Sequence, residues 1–320
     1  MRRFVAVRFV HAIVVLWLVT TVAFFLIHAA PGDPFLFQSD RVRADVRNQL
    51  RERFGYDRPI IEQYGRYLLN VGRGELGYSH SLHVPVREAI TERLPRTLLL
   101  MGLGMGLSFL LGIRLGVYEV RHRFTWRARI ANRASLLMYS LPDFWFAIMM
   151  LLLFAYWWPV LPAGQMVDVL HDYMSPGRAA WDRVQHLLLP VGTFTLMFTA
   201  FLARYQRASL IETLPADYVR TARAKGVDEP TVVGRHALRN AILPIITLAG
   251  LAFPALVGGA VFVEKVFSWP GMGLMAVNAI AVRDYPLVVA SVLVGAAMVV
   301  VGNLLADVAY ALADPRVRVR

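Results

Sequence analysis

The chain's 320 residues are 57% hydrophobic and only 18% charged, with a mean hydropathy of +0.49, which excludes an ordinary soluble domain. A net charge of +12 suits either nucleic-acid binding or a membrane topology biased by basic loops, and its distribution favours the second. With no cysteine, the chain forms no disulfide, thiolate nucleophile or cysteine-ligated metal site.

Six apolar runs reach the roughly 20 residues that a helix needs to cross a bilayer. None alternates polar and apolar residues as barrel strands do. The predicted spans run from about Phe9 to Ala30, Thr97 to Tyr118, Ala134 to Trp157, Leu187 to Ala208, Ala241 to Val263, and Pro286 to Leu312. The first follows Arg2, Arg3 and Arg8, as a signal peptide would, but its apolar core is too long, and the one cleavage point, after "HAA", has His28 at −3 and Pro31 beyond. It reads as an uncleaved anchor.

Residues 31–96 are arginine-rich but long, and long loops cross largely regardless of charge. Within them "LRERFGYDRPIIEQYGRYLLN" has helical spacing and "GRGELGYS" is turn-rich, so a small external helical cap is expected. Gly102 with Gly106, and Gly112 with Gly116, permit close helix approach in span two. Arg121, Arg123, Arg127, Arg129 and Arg133 then mark one side of the membrane, as do Arg204, Arg207, Arg220, Arg223, Lys225, Arg235 and Arg239 after span four and Arg316, Arg318 and Arg320 at the end. The short loops opposite hold only Arg178 and Arg183, then Lys265 and Arg283. Both termini are therefore expected in the cytoplasm. In span five Pro244, Gly250, Pro254, Gly258 and Gly259 suit either a structural kink or a broken helix lining a pathway. The fold class is all-α, a single transmembrane domain over residues 1–320 with six helices.

Catalytic chemistry is hard to find. The eight histidines include no HExxH spacing, and His80 with His83 reads as a surface pair. There is no GxSxG elbow and no P-loop, and neither Lys225 nor Lys265 follows a glycine. The charges noted within spans, Arg114 and Asp307, lie near cytoplasmic ends and can snorkel. A proton-coupled transporter would carry more, so energy for pumping is expected from outside the chain.

The loop over 209–240, "RASLIETLPADYVRTARAKGVDEPTVVGRHALRNAILP", reads as helix, turn, helix. Thr213 and Pro215 suit a helix start, Gly226 a stop, and Asp228 with Pro230 the next start. Ala222 and Ala224 leave bare backbone for close docking on a partner. The same basic amphipathic helix could instead lie on anionic headgroups, and the physics alone leaves both readings open.

"DYVRTARAKG" followed by "RHALRNAILP" resembles the cytoplasmic loop of ABC importer permeases, specifically the dipeptide/oligopeptide/nickel group and the first permease of the pair. So do, in order along nearly the whole chain, "HAAPGDP", "LGYS", "LPRT", "LPDFWFA", "HLLLP", "GAVFVEKVFSWPGMG", "RDYP" and "YALADPRVR". One departure stands out. Arg220, Thr221 and Ala222 occupy the places of the general Glu-Ala-Ala, Gly226 keeps its place, and "AILP" comes five residues later than the general spacing, as is common in the peptide group. The resemblance implies a permease subunit in the prokaryotic cytoplasmic (inner) membrane. Asp217, Tyr218, Arg220, Thr221, Ala222, Arg223, Ala224, Lys225 and Gly226 would form a coupling helix docked on a separate ABC ATPase subunit. Glu264, Phe267, Trp269, Pro270 and Gly271 would lie at the external mouth beneath a substrate-binding protein. A second homologous permease would complete the pathway, and ATP and magnesium would sit on the partner subunits, with no cofactor, metal or catalytic residue on this chain. The substrate implied is a di- or oligopeptide; similar permeases handle nickel chelates, glutathione or another small solute.

Overall fold

The computed structural model describes residues 2–29, 58–252 and 261–313. Among them the chain is helical apart from one two-stranded hairpin. Residues 31–57 of the expected cap, Pro254, Gly258 and Gly259, and the side chain of Asp307 fall outside the described residues. The residues group into two units, Met1–Arg96 with Gly271–Val300, and Thr97–Pro270 with Val301–Arg320.

In the first unit, helix α1 (Arg2–Ala29) carries its arginines in the first two turns and is apolar over Val10–Leu26. It meets α2 (Ile60–Gly72) through aromatic side chains. Phe24 stacks on Tyr67 with ring centroids 5.4 Å apart, and the Thr21 and Tyr64 hydroxyls lie 2.7 Å apart. After α2 the chain turns at Gly74 (φ +76°) and Gly77 (φ +88°), both left-handed. Strands β1 (Tyr78–Ser79) and β2 (Val84–Pro85) then pair antiparallel. The unit's core joins Val86, Ala89 and Ile90, at the start of α3 (Val86–Arg121), to Met272, Met275, Ala279, Leu287 and Ala290. Beside it Asp284, just before the last helix (Tyr285–Ala313), is buried. Its Oδ2 accepts hydrogen bonds from Ser79 Oγ (2.6 Å), Ser81 N (2.9 Å) and Ser81 Oγ (2.7 Å).

In the second unit α3 packs on α6 (Pro176–Thr213) along Gly104, Ser108, Gly112 and Gly116, one turn apart and all buried. A Cβ at Gly104 would stand 2.6 Å from the Phe194 ring, at Gly112 2.6 Å from Leu202 Cβ, and at Gly116 2.8 Å from the Ala203 carbonyl oxygen. Ser108 Oγ donates to the Gly104 carbonyl at 2.6 Å. The small-residue face thus includes the expected Gly112 and Gly116 but runs through Gly104. Gly102 and Gly106 are on the exposed side, with nothing within 4 Å of an added Cβ.

The residues of the expected third span, about Ala134 to Trp157, fall in two helices, α4 (Trp126–Ser140) and α5 (Asp143–Leu151), with a π-helical turn over Leu152–Trp157. The two arms meet at 107°. The cause is local: Pro142 bars the helical conformation at Leu141, which is extended (ψ 140°), and Pro142 itself caps the next helix.

Candidate functional site

The loop over 209–240 builds a corner on its own core. Helix α6 runs to Thr213, whose hydroxyl donates back to the Ser209 carbonyl. The expected start at Thr213 is therefore corrected. Pro215 has no N–H with which to extend the ladder, and α7 (Asp217–Ala224) begins after Ala216 with Asp217 in its first turn. It ends in a Schellman arrangement: Val227 N–H donates to Ala222 O (3.2 Å), Gly226 N–H to Arg223 O (3.0 Å), and Gly226 has φ +78°. Asp228 then caps the next turn, accepting from Thr231 N at 3.2 Å, with Pro230 inside it. A π turn over Val232–Ala237 follows.

Val219 and Ala222 point inward, into a cluster with Val120, Leu210, Leu214, Val232, Val233, Ala237 and Ala241. The role expected of Ala222 in close approach to a partner is therefore corrected, because its methyl group is used inside the chain. Asp217, Tyr218, Arg220, Thr221, Arg223, Ala224, Lys225 and Gly226 are exposed. Arg220 and Asp217 lie 3.9 Å apart and both face solvent. Arg223 is committed differently. Its guanidinium holds both Glu229 oxygens, Nε at 3.0 Å and Nη2 at 2.7 Å, bracing the corner across Gly226.

That pairing holds the Glu229 carboxyl below its ordinary range, chiefly through the hydrogen bonds from Arg223, and raises Arg223 in return. Because the folded carboxyl is depressed, its stabilisation is present above the unfolded value of about 4.3 and is lost as pH falls through the lower folded value. The pair is half-exposed, so solvent screening limits it to about 0.5–1 kcal/mol. Glu229→Gln is expected to reduce amide-exchange protection over 217–231 several-fold at pH 7. The difference from the unaltered chain should shrink as pH falls below about 4.3 and vanish only below the lower folded value.

The turn over Glu264–Gly271 is folded inward rather than presented. Glu264, Phe267 and Trp269 are fully buried; Thr97 Oγ1 donates to Glu264 Oε1 (2.6 Å), Trp269 N–H to Glu264 O (2.8 Å) and Gln165 N–H to Phe267 O (2.8 Å). Pro270 is half-buried and Gly271 is buried ahead of the helix Met272–Ala281. Of the residues expected at the external mouth, Glu264, Phe267, Trp269 and Gly271 are thus buried within the chain itself. The aromatic and apolar side chains of this turn fill the unit's core with Leu100, Met101 and Leu189, leaving Lys265 and Ser268 exposed.

Buried acids are more numerous than the sequence reading allowed. Asp182 accepts from His171 Nδ1 at 2.7 Å and lies 3.1 Å from His186 Nδ1. Glu119 accepts from Ser135 Oγ at 3.0 Å. Asp143 is exposed on the chain's own surface; it was missed although it stands well inside the expected third span, because "LPDFWFA" reads as apolar around it. A carboxylate at that depth costs about 2.5–3.5 kcal/mol on insertion scales. The start of α5 returns only about 0.3–1 kcal/mol through the helix dipole. Among the described residues no group of three His, Asp or Glu side chains is placed to hold a metal.

Long apolar helices, one of them broken at a proline, and a polar helical corner resting on a core of its own define an integral membrane protein of the transport type. Residues 108–319 match the family described as "Binding-protein-dependent transport system inner membrane component", and residues 1–101 match its N-terminal counterpart. The chain belongs to this family and is an inner membrane permease component. It is 36% identical over 319 residues to the oligopeptide transport system permease protein AppB of Bacillus subtilis (strain 168), covering 99% of both chains. It is 35% identical over 318 residues to the dipeptide transport system permease protein DppB of Escherichia coli (strain K12), covering 94% of each.

Proposed function

We propose that the chain is the transmembrane permease of an ATP-driven importer of di- or oligopeptides. It would form the translocation pathway with a second homologous permease, receive substrate from an external binding protein, and be driven by ABC ATPase subunits that carry the ATP and magnesium. The single observation that carries this reading is the near full-length similarity to relatives named for oligopeptide and dipeptide transport. With both termini in the cytoplasm, the exposed face of α7, with Tyr218, Arg220, Thr221, Ala224 and Lys225, is the surface offered to the ATPase. Its backing by Val219 and Ala222 lets it transmit force into α6 and α3 as a rigid body. The nickel-chelate and glutathione alternatives have no comparable support.

The absence of cysteine makes the test direct. Ala224→Cys, paired with a single cysteine in the groove of the candidate ATPase, is expected to crosslink, with a yield that changes on adding ATP. No crosslink at 224 or at 221 and 225, with the complex intact, would return α7 to the lipid surface and remove the coupling role.

A further inference from the structure

A cavity of about 250 Å³ opens in the second unit where α4 breaks into α5. It is lined by Tyr139, Asp143, Phe194, Phe198, Phe201 and Phe262, among others. The aromatic rings form a continuous ladder on α6. Phe194 stacks on Phe198 at 5.4 Å, Phe198 meets Phe201 at 5.4 Å, and Phe201 stacks on Tyr139 of α4 at 6.2 Å. The Arg204 guanidinium covers the Tyr139 ring at 4.6 Å. Phe194 lies at the middle of the 38-residue helix Pro176–Thr213, so the ladder sits near mid-membrane depth.

Three independent observations converge on this place. The backbone leaves the helical path at Leu141, and non-helical backbone at membrane depth is tolerated only inside protein or beside water. Asp143 puts a carboxylate there that makes no hydrogen bond or ion pair among the described residues. The rest of the lining is aromatic and apolar, a surface for organic side chains rather than for a hydrated ion. An intramembrane acid without a partner in its own chain, facing a cavity, marks a passage for a cationic group.

We infer that this cavity is a transit site for the cationic amino terminus of a peptide. The Asp143 carboxylate receives the ammonium group as a charge-assisted hydrogen bond. The rings of Phe194, Phe198 and Phe201 line the place of the adjoining side chain, Tyr139 being already covered by Arg204. This rests on the peptide-importer reading above and adds a site and a chemical feature of the substrate to it.

The test uses the whole importer, reconstituted with its ATPases and binding protein in proteoliposomes. A benzoylphenylalanine at Phe198 is photoactivated during ATP-driven uptake of a radiolabelled dipeptide with a free amino terminus. The crosslink to peptide is expected with Asp143 present. Asp143→Asn should lower both crosslink and uptake by about tenfold, the scale of one charged hydrogen bond, and Asp143→Glu should restore most of both. Thermal midpoints equal to that of the unaltered complex would tie the loss to the charge. In parallel, Asp143→Cys should react with a membrane-impermeant thiol reagent. Uptake and crosslinking unchanged in Asp143→Asn would overturn the site. So would crosslinks to lipid alone, or labelling of Asp143→Cys only by lipid-soluble reagents. If the unaltered importer moves no peptide in an ATP-dependent way, the importer reading itself fails, an outcome separate from the loss of this site.

Discussion

Gly116→Leu is expected to prevent stable packing of α3 on α6. A Cβ at 116 would lie 2.8 Å from the Ala203 carbonyl oxygen and 2.8 Å from Gln206 Cβ. The first neighbour is backbone and has no rotamer by which to withdraw. Relief requires α6 to move out along its length, which also stretches the Gln206 Nε2 bond to the Ala241 carbonyl (3.2 Å) and uncovers the small-residue contacts at Gly112 and Gly104. Overpacking by a single methyl group in a well-packed core costs about 1–3 kcal/mol, and leucine adds three more carbons. Gly116→Ala should therefore lower the thermal midpoint of the purified chain in detergent, followed by tryptophan fluorescence. Gly116→Leu should yield little folded protein. Gly106→Ala is the control: it enters open space and replaces the helix-weakening glycine, so its midpoint should hold or rise. Equal sensitivity at 106 and 116 would mean that the helix presents the other face to α6.

Asp284→Ala is expected to cost about 3 kcal/mol, the second large effect. The substitution deletes one acceptor oxygen shared by three donors and leaves the buried Ser79 hydroxyl and the Ser81 N–H without it. Each buried donor stranded in this way costs about 1–3 kcal/mol, more where the lost partner was charged. The hairpin's geometry rises or falls with that oxygen. His83 (φ +57°) and Arg283 (φ +54°) both sit in the left-handed region, a strain that the surrounding bonds must over-determine. Asp284→Asn keeps an acceptor of the same shape without the charge and should fall between. Midpoints from thermal unfolding, together with proteolysis of the segment around 76–85, read both effects. An alanine variant as stable as the parent would show that the hairpin is held by its apolar contacts with Met272 and Leu287 alone.

Much of this protein was written in its linear order. Apolar run length forces helix, because a backbone in lipid must satisfy its own hydrogen bonds. The residues from "DYVRTARAKG" to Asp228 announce a short helix, its stop and the next cap through local chemistry alone, since Gly226 and Asp228 act on neighbours a few residues away. What the order could not contain was direction. Five glycines lie along α3, yet only the row through 104, 112 and 116 meets α6, because spacing defines a stripe and the neighbour decides which stripe is used. Ala222 and Ala224 are equally small, but the cluster beneath α7 takes one and leaves the other outside. Glu264, Phe267 and Trp269 look like a surface motif until the packing turns them inward. Asp143 was hidden among apolar letters. Its meaning comes from the break that Pro142 imposes and from the aromatic ladder of α6 that faces it, partners fifty residues and more away in sequence.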